Sequence, residues 1–261
     1  MIKKSIKLLK ENPVLILFYL IYMAIAFTIL FLLYPHHINQ RISTSNLDLV
    51  AYAITMIKML IALGLIAALG IVFISGFGNM LREAVINGTT SKSSFFPGVK
   101  RFFVRSLLAA FLYFGFAIVL GIVMSIITIP ITITQVLNGH ESIEFMSIII
   151  TVITMTITTF SLPFLMLWIP SIFVDDTGIF QALKNGVRMG VKNYWKLVLA
   201  LVIIYLPSGI LMLFNYPVVM NGEIFAPAML AMYLLSAIIS IVFILFLFVL
   251  YWEKRQKELN Y

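Results

Sequence analysis

Charged residues are missing from six long stretches of this chain, and that pattern constrains its fold more than any motif does. Uncharged text runs from Asn12 to Gln40, Met59 to Leu81, Ser106 to His140, Phe145 to Val174, Leu197 to Gly222 and Ile224 to Trp252. The shortest of these, Met59–Leu81, has 23 residues, and a helix crosses a ~30 Å hydrocarbon core with about 20. Six membrane spans are expected, with working limits Val14–Tyr34, Val50–Phe77, Ser106–Thr128, Met146–Ile172, Leu197–Phe214 and Pro227–Trp252. Backbone inside a bilayer must pair within its own segment, which favours helix. Barrel strands would alternate apolar with polar residues. Only Ile126–Thr134 and Thr151–Thr159 alternate in that way, and both sit inside runs too long for one strand.

Composition agrees. Hydrophobic residues make up 62% and charged residues 11%, against about a quarter charged in a soluble domain. Disorder, collagen, a nucleic-acid-binding domain and most soluble enzyme folds are excluded. The absence of cysteine removes disulfides, thiolate metal sites and cysteine nucleophiles.

The cations are sorted. Of the 18 Lys and Arg, sixteen fall in the N-terminal segment, the second and fourth connections and the tail; the exceptions are Arg41 and Lys58. By the positive-inside rule both termini are expected to face the cytoplasm. The net charge of +8 is then a topology signal with some attraction to anionic headgroups, and no nucleic-acid partner is needed. Ala24-Ile25-Ala26 imitates a signal-peptide cleavage site. The apolar run continues through Phe27–Leu33, so an uncleaved span is expected.

A basic amphipathic stretch precedes each odd-numbered span. Ile2, Ile6 and Leu9 oppose Lys3, Lys7 and Lys10; Phe95, Phe96, Val99, Phe102 and Phe103 oppose Lys100, Arg101 and Arg105; Phe180, Leu183, Val187, Val191 and Tyr194 oppose Gln181, Lys184, Arg188 and Lys192. Apolar residues three or four apart with cations opposite describe a helix lying in the membrane interface. The chain reads as one integral membrane domain, 1–261, built from three copies at 1–80, 81–174 and 175–261. Each copy would hold an interfacial elbow helix and a hairpin of spans. In the third elbow, Asp176 or Thr177 is expected to cap the helix, with the Asp175–Asp176 pair near its positive end, and Trp195 suits headgroup depth.

Val174-Asp175-Asp176, Ala182-Leu183-Lys184 and Lys192-Asn193-Tyr194-Trp195 stand in the third elbow, and Gly88-Thr89-Thr90 with Phe95-Phe96-Pro97-Gly98-Val99-Lys100-Arg101 in the second. This wording resembles the membrane domain of membrane-anchored glycerophosphodiester phosphodiesterases and related six-span prokaryotic proteins. The resemblance implies the same six-span layout across the chain, with the wording matched at the two elbows, and a prokaryotic cytoplasmic membrane around it. Those phosphodiesterases also carry a soluble catalytic barrel, for which this chain has no room, so their activity is not implied.

Candidate sites compete with plainer explanations. Lys58 is the one charge inside a span, about 12 Å deep at 1.5 Å per residue from Val50. Intramembrane cations mark substrate paths, but a lysine at that depth can also snorkel outward. Pro207-Ser208-Gly209 interrupts the fifth span, while Pro163, Pro170 and a threonine-rich stretch including Thr158 occupy the fourth. Broken spans hold substrate in transporters; ordinary kinks are commoner. Gly64-xxx-Ala68, Ala117-xxx-Gly121 and Ser236-xxx-Ser240 suit close helix packing. His36, His37, His140, Glu141, Glu144 and Glu223 lie on connections without metal-site spacing, so no metal and no cofactor is expected. The sequence points first to a non-enzymatic membrane protein with a binding, scaffold or permease-like role. Its partners would be anionic lipid headgroups on the cytoplasmic face, a soluble protein or a second copy of itself. A secondary transporter or permease subunit using Lys58, Thr158 and Pro207-Ser208-Gly209 is the alternative, and a lipid-handling enzyme the third.

Overall fold

A computed structural model describes residues 1–33, 49–138, 156–157, 160–203 and 226–259, and among these every regular element is helical. The helices are α1 (Ile2–Glu11), α2 (Val14–Leu33), α3 (Leu49–Asn87), α4 (Phe95–Asn138), α5 (Phe160–Val174), α6 (Ile179–Lys192), α7 (Tyr194–Ile203) and α8 (Ala226–Leu259), with a 3-10 turn at Lys92–Ser94. The expected all-α class is observed. Among the described residues, α3, α4 and α8 are long and apolar enough to cross a membrane, and α1 with α2 makes a fourth candidate bent by 87°.

Several boundaries differ from the sequence expectation. Helix α3 continues past Phe77 to Asn87, and α4 runs from Phe95 to Asn138, well beyond Ser106–Thr128 at both ends. The alternating text at Ile126–Thr134 is helical. In the second elbow the basic stretch is the first part of α4 itself and not a separate helix. Thr158 and Pro207-Ser208-Gly209 lie outside the described residues, as does most of the threonine-rich run.

The chain divides into two compact units, one of Ile6–Ser106 and one of Met1–Ser5 with Leu107–Tyr261. In the first unit, Tyr22 stacks on Phe73 with ring centroids 4.4 Å apart, and Tyr19 meets Phe77 at 6.1 Å. These pairings run α2 and α3 antiparallel. Asn12 and Pro13 create the bend between α1 and α2. Proline cannot donate to the preceding turn, and the Asn12 side-chain amide donates to the orphaned Leu8 carbonyl at 2.9 Å. Phe95 packs against Phe18 at 4.9 Å and into the space left by Gly76.

In the second unit, α5 is divided by a turn at Leu167, and Pro170 sits in the first turn of its second half. A proline is tolerated there because those N–H groups have no intrahelical partner. Trp168 stacks on Tyr113 at 4.9 Å, and Tyr113 Oη donates to the Leu165 carbonyl at 3.0 Å. Helix α6 lies on α5 through two glycines one turn apart. A Cβ on Gly186 would sit 2.5 Å from Trp168 Cα, and one on Gly190 2.7 Å from the Pro163 carbonyl oxygen. Among the described residues, a Cβ on Gly64 or Gly121, where small-residue contacts are expected, would meet nothing within 4 Å. Apolar side chains of α3 and α4 instead point outward, Leu60, Phe111 and Ile126 being about two-thirds exposed. Such a surface suits hydrocarbon rather than water.

Candidate functional site

The densest polar chemistry in the second unit gathers where α5 ends, α6 passes and α8 finishes. Asp175, just past α5, is the hub, its side chain only 4% exposed. Asn185 Nδ2 donates to its Oδ2 at 2.8 Å and Arg255 Nε to its Oδ1 at 3.1 Å. Tyr251 Oη lies 2.5 Å from Asp175 Oδ2 and 2.8 Å from Ser171 Oγ. The phenol has one proton and the carboxylate is the stronger acceptor. Tyr251 therefore donates to Asp175, and the Ser171 hydroxyl turns its proton to the phenol oxygen. A buried carboxylate needs such donors to offset the loss of water around it. It positions α8 and has little lone-pair capacity left for chemistry.

Helical spacing builds the rest. Tyr251, Arg255 and Glu258 recur at four and three residues along α8, and Asn185, Arg188 and Lys192 at three and four along α6, so each set shares one face. Where the faces meet, Glu258 accepts from Arg188 Nη2 at 2.6 Å and from Lys192 Nζ at 2.7 Å, and Arg255 Nη1 lies 3.7 Å away. The apolar run of α8 ends at Trp252, so these groups stand beyond it. The Lys192 hydrogen bond and the flanking guanidinium groups hold the Glu258 carboxyl below its ordinary range. Lys254 lies beside Lys196, whose like charge pushes its ammonium down. An open groove of about 610 Å³ runs along this seam, lined by Arg188, Lys192, Lys254, Arg255 and Lys257 with Glu258 as its acid. Lys254 and Lys257 have no carboxylate within salt-bridge distance among the described residues.

The structure thus joins Asp175, Arg188, Lys192 and Asn193 from the expected elbow set. Lys184 does not line the groove, and Trp195 points outward, 73% exposed, edge-on to Tyr194. The expected cap is corrected: Gly178 holds the N-cap position of α6 without any side-chain hydrogen bond. Asp176 instead takes a left-handed conformation, φ 53°, that turns the chain. Thr177 Oγ1 is buried without a hydrogen-bond partner. In the second elbow, Lys100 is exposed, and Arg101 stands 5.4 Å over the Phe102 ring. Lys58 is exposed on α3 among Ile54, Ile57 and Ile61, each about half exposed. Ser171, Asn185, Tyr251, Arg255 and Glu258 were not singled out from sequence. The Tyr251-xxx-Arg255-xx-Glu258 spacing was the available signal.

An all-helical architecture with helices long and apolar enough to cross a membrane is that of a helical membrane protein. The chain belongs to the family described as domain of unknown function DUF7847, which matches residues 1–252. No curated protein and no solved structure matches it significantly. The family match stops at Trp252, so the α8 side of the groove falls beyond it.

Proposed function

We propose that this is a non-enzymatic multi-pass protein of the prokaryotic cytoplasmic membrane, with six spans in three hairpins and both termini in the cytoplasm. On this reading the groove between α6 and α8 is a cytoplasmic docking site for an acidic segment of a soluble protein. The observation that carries it is the surplus of cation: Asp175 and Glu258 are paired with Arg255, Arg188 and Lys192, while Lys254 and Lys257 line the same groove with no carboxylate partner among the described residues. Clefts of one charge sign draw in opposite charge and raise association rates. Supporting this placement, α1 turns 87° from α2, as a helix lying across the mouth of a span would. The two elbow wordings resemble those of the phosphodiesterase membrane domains, which supports the six-span layout.

Two measurements test this reading. Reporter fusions at Gln40, His140 and Gly222 should read outside the cytoplasm and those at Thr90 and Gly186 inside; one reversed site breaks the topology. In phosphatidylcholine nanodiscs, a fluorescent oligoglutamate peptide should bind in a salt-sensitive way. Arg188→Ala and Lys257→Ala should each weaken it roughly threefold. Binding that ignores both substitutions removes the groove from the reading.

A further inference from the structure

A second groove opens in the same unit, and its lining is ordered by depth. Lys3 of α1, Lys196, Leu199, Ala200 and Ile203 of α7, and Phe246 of α8 bound an open trough of about 410 Å³. Lys196, Leu199 and Ile203 follow at three and four residues, so they share one face of α7. From Lys196 to Ile203 that face runs about 10 Å at 1.5 Å per residue. Trp195, beside Lys196 and 73% exposed, is the residue type that sits at headgroup level. Below it the trough offers only hydrocarbon: Leu199 and Ile203 are 60% and 51% exposed on the wall, and Ala200 and Phe246 form a buried floor.

Cations at the rim and an apolar bed beneath match one kind of occupant. A soluble acidic ligand would satisfy the lysines and leave the bed wetted. A neutral lipid tail would fill the bed and leave the cations crowded, since Lys196 already lies beside Lys254. Neither Lys3 nor Lys196 has a carboxylate partner among the described residues. We infer that this trough seats one anionic phospholipid, its phosphate held by Lys3 and Lys196 and one acyl chain lying along Leu199, Ile203 and Phe246. The inference needs the membrane placement proposed above but not the peptide-docking groove. The lipid would tie the start of α1 to α7 and α8.

Native mass spectrometry from nanodiscs with equal dioleoylphosphatidylglycerol and dioleoylphosphatidylcholine tests it. The wild-type protein should keep a single phosphatidylglycerol in preference, each lysine adding roughly fivefold. Lys196→Glu should erase the preference, and Ile203→Trp, which fills the trough, should lower retention of both lipids. Lys100→Glu, an equal charge change on the exposed second elbow, should leave the preference intact. Equal retention of the two lipids by the wild type overturns the inference. So does a preference that survives Lys196→Glu, or one lost equally with Lys100→Glu. The reporter fusions fail separately if the membrane placement is at fault.

Discussion

The second and third elbows follow one plan and differ in what they hold. In each, a residue of positive φ turns the chain after a long or apolar helix: Gly88 at 83° and Asp176 at 53°. Ten residues later a glycine presses on the preceding helix, Gly98 on Asn79 and Gly186 on Trp168, each leaving a Cβ only 2.5 Å. Each turn also wraps one carboxylate. Glu83 collects Asn79 at 3.2 Å, Thr90 at 3.3 Å and the Ser94 hydroxyl, neutral donors no more than 11 residues away. Asp175 collects Asn185 nearby and Tyr251 and Arg255 from 76 and 80 residues away. A clasp made of local neutral donors closes a turn. One made with distant charged and aromatic donors fastens another helix, and Lys254 and Lys257 are left lining the groove beside it.

If that contrast is right, the carboxylates respond unequally. Asp175→Asn should cost about 3 kcal/mol, because Arg255 loses its buried counter-charge. Glu83→Gln, which keeps an acceptor for neutral donors, should cost nearer ~1 kcal/mol. Thermal melts in detergent measure both, and equal losses would erase the distinction. The glycines are where the elbows should agree. Gly98→Ala and Gly186→Ala each force a methyl into a close contact, and overpacking of that kind costs about 1–3 kcal/mol. Gly121→Ala, on an open surface, should be close to neutral. A harmless Gly186→Ala would mean that α6 does not rest on α5.

The ends of the short helices sharpen the comparison further. Asn12 and Asn193 both donate from Nδ2 to a carbonyl four residues back, at 2.9 Å each. Asn12 also donates to the Gly88 carbonyl at 3.0 Å and accepts from the Thr90 amide at 2.7 Å, tying α1 to the second elbow. Asn12→Ala should therefore cost about 3 kcal/mol and Asn193→Ala about 1 kcal/mol, at roughly one per hydrogen bond lost.

These asparagines show what the sequence could and could not tell. The uncharged runs made the all-α class legible, since only a helix or a closed barrel satisfies backbone in hydrocarbon and the runs lack a barrel's alternation. The three amphipathic stretches looked alike because periodicity reports a buried face and not a break. Asn12-Pro13 and Asn193 interrupt two of them, whereas the second runs into its span through Arg105-Ser106 without a stop. Asp175 stood out as one of an acidic pair near the positive end of the third elbow helix. Its partners Tyr251 and Arg255 did not, because their link to it is tertiary and the tail's cations were already explained by topology. Gly186-xxx-Gly190 was readable as a packing motif, but it lay in an elbow, and small-residue pairs were sought only in spans.

The smallest expected effect concerns the rim of the third clasp. Lys192, with Arg188 and Arg255, holds the Glu258 carboxyl below its ordinary range. A carboxylate whose folded value is depressed contributes stability that is complete above its unfolded value, about 4.3. That contribution disappears as pH falls through the lower folded value. Glu258 is 24% exposed, so screening keeps the contribution to roughly 0.5 kcal/mol. Wild type should accordingly melt slightly above Glu258→Gln at pH 7, and the two curves should merge only once the pH has fallen through the depressed folded value of Glu258, where both carry a neutral side chain. A gap that persists in acid would mean that Glu258 acts through packing. The ionic hold on the tail would then come from Asp175 and the Lys4–Glu253 pair at 2.8 Å, and the contrast between the two elbows would rest wholly on that buried aspartate.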